Sequence, residues 1–393
     1  MTKPLDIVIL GLSITSSWGN GHATTFRALV RALSARGHNV CFLERDMPWY
    51  AENRDLPNPP YGLTQLYRCV SELKRRFARK VMNADLCIVG SYVPDGVAIG
   101  EWVTTTCDGV KAFYDIDTPI TLAKLASGEE EYLTPRLVER YDLYLSFTGG
   151  PVLRKIEREL GSPMARALYC SVDAKVYFPE SCKAKWDLGY MGTYSVDRQP
   201  SLEHLLIEPA RRSARLKTVV AGPMYPRELS WPANVKRIEH LAPRAHRSFY
   251  NSQRFTLNLT RADMRAIGYS PSVRLFEAAA CATCIISDSW PGLETFFKPQ
   301  HEILIASTAD EVLHYLNHLS EQDRRAIGER ARQRILAEHT SERRAIELEQ
   351  YVAEVIETAG FAAGCEAGPS PAVEEGTLTS PAESRLTSGG RAL

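Results

Sequence analysis

The sequence predicts an α/β protein of two doubly wound domains, each a parallel sheet wrapped by helices. Three observations lead there. Short apolar runs of strand length alternate with segments of helical periodicity, the pattern of strand–helix–strand units. The chain has 393 residues, more than one ordinary domain holds. The alternation restarts at Trp186, after a first series that is complete by residue 170.

The elements follow in order. Residues 7–10 are a continuous apolar run, as in a strand covered on both faces. Phe26, Leu29, Val30 and Leu33 recur at i, i+3, i+4 and i+7, one face of a helix that Gly37 ends. Residues 40–43 form the next strand, and such a unit pairs in parallel. Residues 65–81 read as a helix with many basic residues. Residues 86–90, 110–117 and 141–147 read as strands, 151–160 as a helix, and 164–170 closes the first sheet. The second series opens on "WDLGYMGTY", a strand ending in a Gly-Thr turn, then a helix over 199–213 and a strand over 216–221. "VKRIEHL", a short helix near 245–251 and "FTLNLT" follow. A helix over 272–280, the strands "CIISD" and "EILIAS", and helices over 309–318, 321–337 and 341–358 complete it. From 360 to 393 the chain is rich in Ala, Gly, Ser, Pro and Glu, and reads as a disordered tail.

Composition narrows the function. Lys+Arg and Asp+Glu both number 47, which argues against a general nucleic-acid binder. Nine cysteines, an odd count without disulfide-like spacing, fit reduced thiols in a cytoplasm. No apolar run approaches the roughly eighteen residues of a membrane span, and "IVILGL" reads as a buried strand rather than a signal peptide. Lys74, Arg75, Arg76, Arg79 and Lys80 form a basic helix face, read as solvated; peripheral contact with anionic lipid is not expected.

Two segments carry chemistry. In "SSWGNGHATTF" the pattern Gly19-x-Gly21-x-x-Thr24 approaches a dinucleotide fingerprint, with Glu44 near the place of a ribose ligand. Thr24 stands where that fingerprint needs Gly or Ala, and the glycines come well after the strand instead of forming its turn. The alternative is an active-site loop at the carboxyl end of the first strand, where His22 acts as a base, orients a phosphate, or simply packs the loop. This Gly-x-Gly-His turn, its helix, and the "ARGHNV" step into a strand resemble the N-terminal unit of GT-B glycosyltransferases. "GYSPSVRLFEAAACATCIISD" (268–288) is the stronger signal. Ser-x-Arg-x-Phe-Glu-Ala opens a helix whose carboxylate can accept bonds from a ribose diol, with backbone N–H groups ahead of it for a diphosphate. It resembles the donor site of GT-B glycosyltransferases, most closely the CgeB-like, spore-maturation branch, as do "GLETFF", "HEILIA" and "AEHTSERRAIEL".

The resemblance implies two Rossmann-like domains facing a cleft. Residues 1–175 take the acceptor, 176–340 bind the nucleotide-sugar donor, and 341–358 cross back to the first domain. By the same resemblance Glu277 binds the ribose, and Ser272 and Arg274 lie near the diphosphate. Gly192 and Thr193 approach the phosphates, with Arg198 adding charge or solvated. Arg261 and Arg265 are placed to meet a diphosphate leaving group, and the backbone at His240 and Leu241 is placed to read the nucleobase. Two departures stand out. Retaining enzymes of this fold often carry a further glutamate at a position that is Tyr269 here. The glycine expected after the helix is replaced in Cys281-Ala282-Thr283, where a turn with positive φ is less comfortable.

On the acceptor side stand Gly19, Asn20, Gly21 and Asp115. Asp117 rivals His22 as the base, is an acceptor-hydroxyl ligand, or is a helix-capping aspartate. "DID" (115–117) mimics the DxD metal motif of another transferase fold but ends a strand in the wrong half for it. Cys281-x-x-Cys284 lacks a second ligand pair. No metal and no cofactor beyond the nucleotide sugar are expected. The implied activity is transfer of a sugar from a nucleoside-diphosphate sugar to an acceptor in the cytoplasm, without nucleic acid. The rivals are a nucleotide-sugar epimerase, an NAD(P)-dependent oxidoreductase and a non-catalytic sugar-binding protein.

Overall fold

A computed structural model describes residues 3–19 and 21–366, with side chains to residue 359. The first sheet holds β1 (Asp6–Gly11), β2 (Asn39–Arg45), β3 (Leu63–Tyr67), β4 (Leu86–Gly90), β5 (Val110–Asp115), β6 (Leu143–Ser146) and β7 (Ala165–Ala167). Its order is β3-β2-β1-β4-β5-β6-β7, and every pair is parallel. The second sheet holds β8 (Trp186–Met191), β9 (Thr218–Ala221), β10 (Val235–Ile238), β11 (Gln253–Asn258), β12 (Cys284–Ser287) and β13 (Leu304–Ile305). Its order is β10-β9-β8-β11-β12-β13, again all parallel.

Both sheets reverse direction of growth at one place, between β1 and β4 and between β8 and β11. Helices leave opposite faces there, so a crevice opens outside the carboxyl ends of those strands. Alternate residues of each strand feed two apolar layers. Val8 and Leu10 pack on one side of the first sheet, Ile7 and Ile9 on the other. Leu188 and Tyr190 lie on one side of the second sheet, opposite a layer built around Phe276 and Ile285. Ala345, Leu348 and Val352 of the helix Ser341–Glu366 join the Ile7–Ile9 layer, and Glu349 accepts a hydrogen bond from Arg36 at 2.8 Å.

Three expectations need adjustment. The helix expected over 65–81 is a strand, β3, followed by a helix over Val70–Met82. β3 is an edge strand with Leu63 exposed, so it lacks the continuous apolar run of a central strand. The last helix passes residue 358. Residues 356–366 are the described part of a second compact unit and are helical, and the rest of the tail expected from 360 lies outside the described residues. The helix Val273–Ala280 ends without glycine yet keeps the left-handed turn: Ala282 has φ 55°, and its N–H reaches the Ala279 carbonyl at 2.8 Å. A methyl group in that region costs about 1 kcal/mol relative to glycine. Ala282→Gly is therefore expected to raise the urea midpoint of unfolding, by the equivalent of up to about 1 kcal/mol of stability; an unchanged or lower midpoint contradicts this account of the turn.

Candidate active site

The loop after β1 is pinned at both ends before it reaches the crevice. The buried Glu44 carboxylate accepts the Ile14 and Thr15 N–H groups at 2.6 and 3.0 Å and the Thr15 hydroxyl at 2.6 Å. Glu44 is thereby committed to its own loop, and the dinucleotide reading loses its ribose ligand. Ser17 N–H and Oγ reach Asp55 at 2.8 and 3.0 Å, and Arg27 grips the same carboxylate through two 2.9 Å bonds. Gly19, at φ 68°, and Gly21 then line the crevice. Asn20 lies outside the described residues.

A cavity of about 500 Å³ opens at the carboxyl ends of the first sheet. His22, the first residue of the helix His22–Ala35, lines it with a half-buried ring. Its Nδ1 is buried without a hydrogen-bond partner among the described residues, and burial lowers its pKa to about 4, so the imidazole is neutral. Asp117 lines the same cavity. It stands at the N-cap position of the helix Thr118–Ser127 but makes no side-chain cap bond. Its Oδ2 accepts the Tyr92 hydroxyl at 3.4 Å and lies 3.8 Å from Arg261 across the cleft. Burial raises its pKa, with Arg261 pulling the other way. Asp115 differs from its expected place on the acceptor wall. It is fully buried beneath, accepting Tyr144 Oη at 2.6 Å, Thr121 Oγ1 at 2.7 Å and the Asp117 N–H at 3.2 Å. Its inward direction follows from strand alternation at the end of β5. Burial raises its pKa to about 6.

A second cavity, about 330 Å³, opens at the carboxyl ends of the second sheet. Glu277 lines it, buried, with Tyr177 Oη donating to Oε1 at 2.8 Å and Tyr250 Oη to Oε2 at 2.9 Å. Each oxygen keeps a lone pair for a ligand hydroxyl. His246 approaches Oε2 to 3.9 Å and faces the Leu241 carbonyl through Nε2 at 3.2 Å. His240 and Leu241 line the same cavity. Gly192 and Thr193 form the turn after β8. Gly222 must be glycine there, because a Cβ would meet the Gly192 oxygen at 2.0 Å. Ser272 caps the helix Val273–Ala280, accepting the Arg274 N–H at 3.3 Å.

The arginines divide. Arg274 lines the cavity, but its guanidinium is tied to the Met191 carbonyl and to Asn258 Oδ1 at 3.0 Å, so it braces the Gly192 turn from beneath. Arg265 faces Asp288 at 3.7 Å and is not among the residues lining either cavity. Arg198 and Arg261 remain. Arg198 lines both cavities and donates to the Thr193 carbonyl at 2.7 Å. Burial above all, with repulsion from Arg274 and Arg261, lowers its pKa. The Nε atoms of Arg198 and Arg261, like His22 Nδ1, are buried without partners among the described residues. Unsatisfied buried polar groups on one cavity wall are the feature an anionic, hydroxyl-rich ligand would complete.

The two cavities share Gly19, Gly21, Arg198, Ser272 and Val273 and so meet. Tyr92, Tyr177, His246 and Tyr250 are additions that the sequence reading lacks. His246 and Tyr250 were accessible to it, since they lie four apart on one helix face. Tyr177 is 100 positions from Glu277 and gives no local signal. Among the described residues no group of three His, Cys, Asp or Glu could hold a metal ion, and no helix is long and apolar enough to cross a membrane.

Comparison with known proteins adds to this geometry. Residues 198–350 match a family model described as glycosyl transferase-like. No curated protein matches the sequence. Among solved structures, the chain is similar to sucrose-phosphate synthase from Thermosynechococcus elongatus, at TM-score 0.64 and 14% identity over 90% of this chain and 99% of the other. It is similar to Anabaena HepE in complex with UDP and glucose, at TM-score 0.65 and 10% identity over 88% and 99%. An alpha-glucosyltransferase in complex with UDP-glucose and DNA containing an abasic site gives TM-score 0.66 and 12% identity over 89% and 100%. The fold is thus the two-domain α/β fold of GT-B glycosyltransferases, and with the glycosyl transferase-like segment at 198–350 it supports an enzyme of the transferase class.

Proposed function

We propose that the chain transfers a glycosyl group from a nucleoside-diphosphate sugar to an acceptor hydroxyl, without a metal. The observation that carries this lies where the two cavities meet: Arg198, which lines both, and Arg261, which lines the first, bring to one wall buried Nε groups that have no hydrogen-bond partner among the described residues. Glu277, held by two tyrosine hydroxyls, takes the ribose diol. The Gly192–Thr193 turn, the start of the helix at Val273, and Arg198 and Arg261 take the diphosphate. UDP-glucose is the first donor to test, because HepE and the alpha-glucosyltransferase were solved with it or with UDP. The run 272–280 supports the CgeB-like branch. Eight free cysteines among the described residues, six of them buried, support a cytoplasmic site of action.

The acceptor oxygen forms its bond to the anomeric carbon while the bond to the phosphate oxygen breaks. The acceptor proton passes to Asp117, and the nucleoside diphosphate leaves with the electron pair, its charge met by Arg198 and Arg261. His22 stays neutral and orients the reacting sugar. Incubation with a panel of nucleotide sugars, reading nucleoside-diphosphate release with and without a panel of acceptors, tests this. Acceptor-dependent release is expected. Conversion of the donor sugar with no release identifies an epimerase, and NAD(P) binding without nucleotide-sugar binding overturns the reading.

A further inference from the structure

We propose that Tyr92 is the positioning residue that aims Asp117 and favours its carboxylate form, an inference that rests on reading Asp117 as the proton acceptor. Tyr92 follows β4, the strand beside β1 at the point where the first sheet reverses. Its backbone sits at φ 60°, a region that costs a non-glycine residue about 1–3 kcal/mol and persists where the surroundings enforce it. The enforcement is visible. Ser91 N–H donates to the Tyr114 carbonyl at 2.9 Å, and Ser91 Oγ accepts the Ile116 N–H at 3.1 Å. The chain is thus tied to β5 and its continuation just before Tyr92, and the side chain lies on the cavity wall.

There it touches both candidate reacting groups. The hydroxyl donates to Asp117 Oδ2 at 3.4 Å, and the ring meets His22 edge-on at 5.5 Å between centroids. Behind it the ring rests 4.6 Å from Tyr132, with the Lys124 ammonium 5.3 Å from its centroid. Burial first, then the Asp117 charge, push the phenol up to about 12, so it remains a donor at working pH. The charged and titratable groups around the pair are His22, Asp115, Lys124, Glu131, Tyr132, Arg261 and Asp263, and among the described residues none of these donates a hydrogen bond to Asp117 Oδ2. A hydrogen bond to the carboxylate stabilises the ionised form and so lowers the Asp117 pKa.

Tyr92→Phe in the full chain keeps the ring and removes the hydroxyl, with its bond to Asp117 and its hydrogen-bonding contact with Tyr132; the Asp117→Asn background separates the two. Turnover is expected to fall about tenfold, with the donor KM within about twofold of the parent. The acid limb of kcat is expected to move up by about half to one pH unit. In an Asp117→Asn background the same change is expected to cost nothing further, because its effect runs through Asp117. An unmoved acid limb, or equal losses in both backgrounds, overturns the proposal and leaves Tyr92 a packing residue. Carboxyl-carbon NMR titration of Asp117 in parent and variant needs no turnover. A titration that Tyr92→Phe leaves in place overturns the proposal by itself. A shifted titration in a chain without transfer activity retains the Tyr92–Asp117 bond but overturns both Asp117 as the base and the transferase reading.

Discussion

Asp117→Asn is expected to lower kcat for transfer by about 10²–10⁴-fold, the range that a positioned general base supplies. Asparagine has the same shape, so the Tyr92 hydroxyl and the backbone bond from Asp117 N–H to Asp115 Oδ1, at 3.2 Å, keep their partners. What disappears is the group that takes the acceptor proton. Donor affinity is expected to hold or tighten, since Arg261, 3.8 Å from Asp117, is then left for the diphosphate. The sign of the pH dependence follows from the same group. A base must be deprotonated, so parent activity falls as pH drops through the Asp117 pKa, which burial raises above the usual carboxylate value. That limb is expected to vanish in Asp117→Asn. His22→Gln serves as the contrast. Burial holds His22 near pKa 4, so protonating it in place costs on the order of 3 kcal/mol relative to a free imidazole. Among the described residues no carboxylate hydrogen-bonds the ring to stabilise an imidazolium. His22→Gln is therefore expected to cost about tenfold or less. A collapse in His22→Gln with Asp117→Asn within tenfold of the parent assigns the proton to His22 instead.

The legible parts of this chain are those whose signal is local. β1 and β4 are apolar runs because central parallel strands are buried on both faces, and they read directly from the sequence. The helix Gly96–Thr106 is not among the sequence-based expectations. Its two glycines and three consecutive threonines are poor helix formers, and close packing explains it: a Cβ on Gly96 would lie 2.6 Å from Tyr132, and one on Gly100 2.5 Å from the Tyr141 hydroxyl. The site divides the same way. Glu277 sits in a recognisable run, and Asp117 ends a readable strand. Arg261 and Arg265, four apart, suggest one helix face, but Arg261 is the N-cap residue of Ala262–Ile267 and stands outside the helical spacing. The two side chains therefore part, one to Asp117 and one to Asp288. No pattern in the chain announces that Tyr177 and Tyr250 converge on one carboxylate.

That convergence sets the expected behaviour of Glu277. Glu277→Ala removes the acceptor of two buried tyrosine hydroxyls, and each unsatisfied group costs about 1–3 kcal/mol. Loss of stability would then be confused with loss of binding, so Glu277→Gln is the sharper variant. Its carbonyl oxygen accepts one tyrosine hydroxyl, and its amide donates to the oxygen of the other. The fold is expected to survive, with a thermal midpoint close to the parent. A ribose diol that donates to a carboxylate makes charge-assisted bonds, worth about 1.5–3 kcal/mol. Donor affinity, measured calorimetrically with UDP-glucose or UDP, is expected to weaken by about 10–100-fold. The signature of a direct ribose contact lies in a 2′-deoxy or 3′-deoxy nucleotide. The parent is expected to bind the deoxy compound more weakly than the ribonucleotide, and Glu277→Gln to bind both about equally, because the group that distinguishes them has lost its charge. Unchanged donor affinity in a folded Glu277→Gln, or the same ribose preference in parent and variant, would move the ribose away from Glu277 and leave its two tyrosine bonds as a brace for the helix Val273–Ala280.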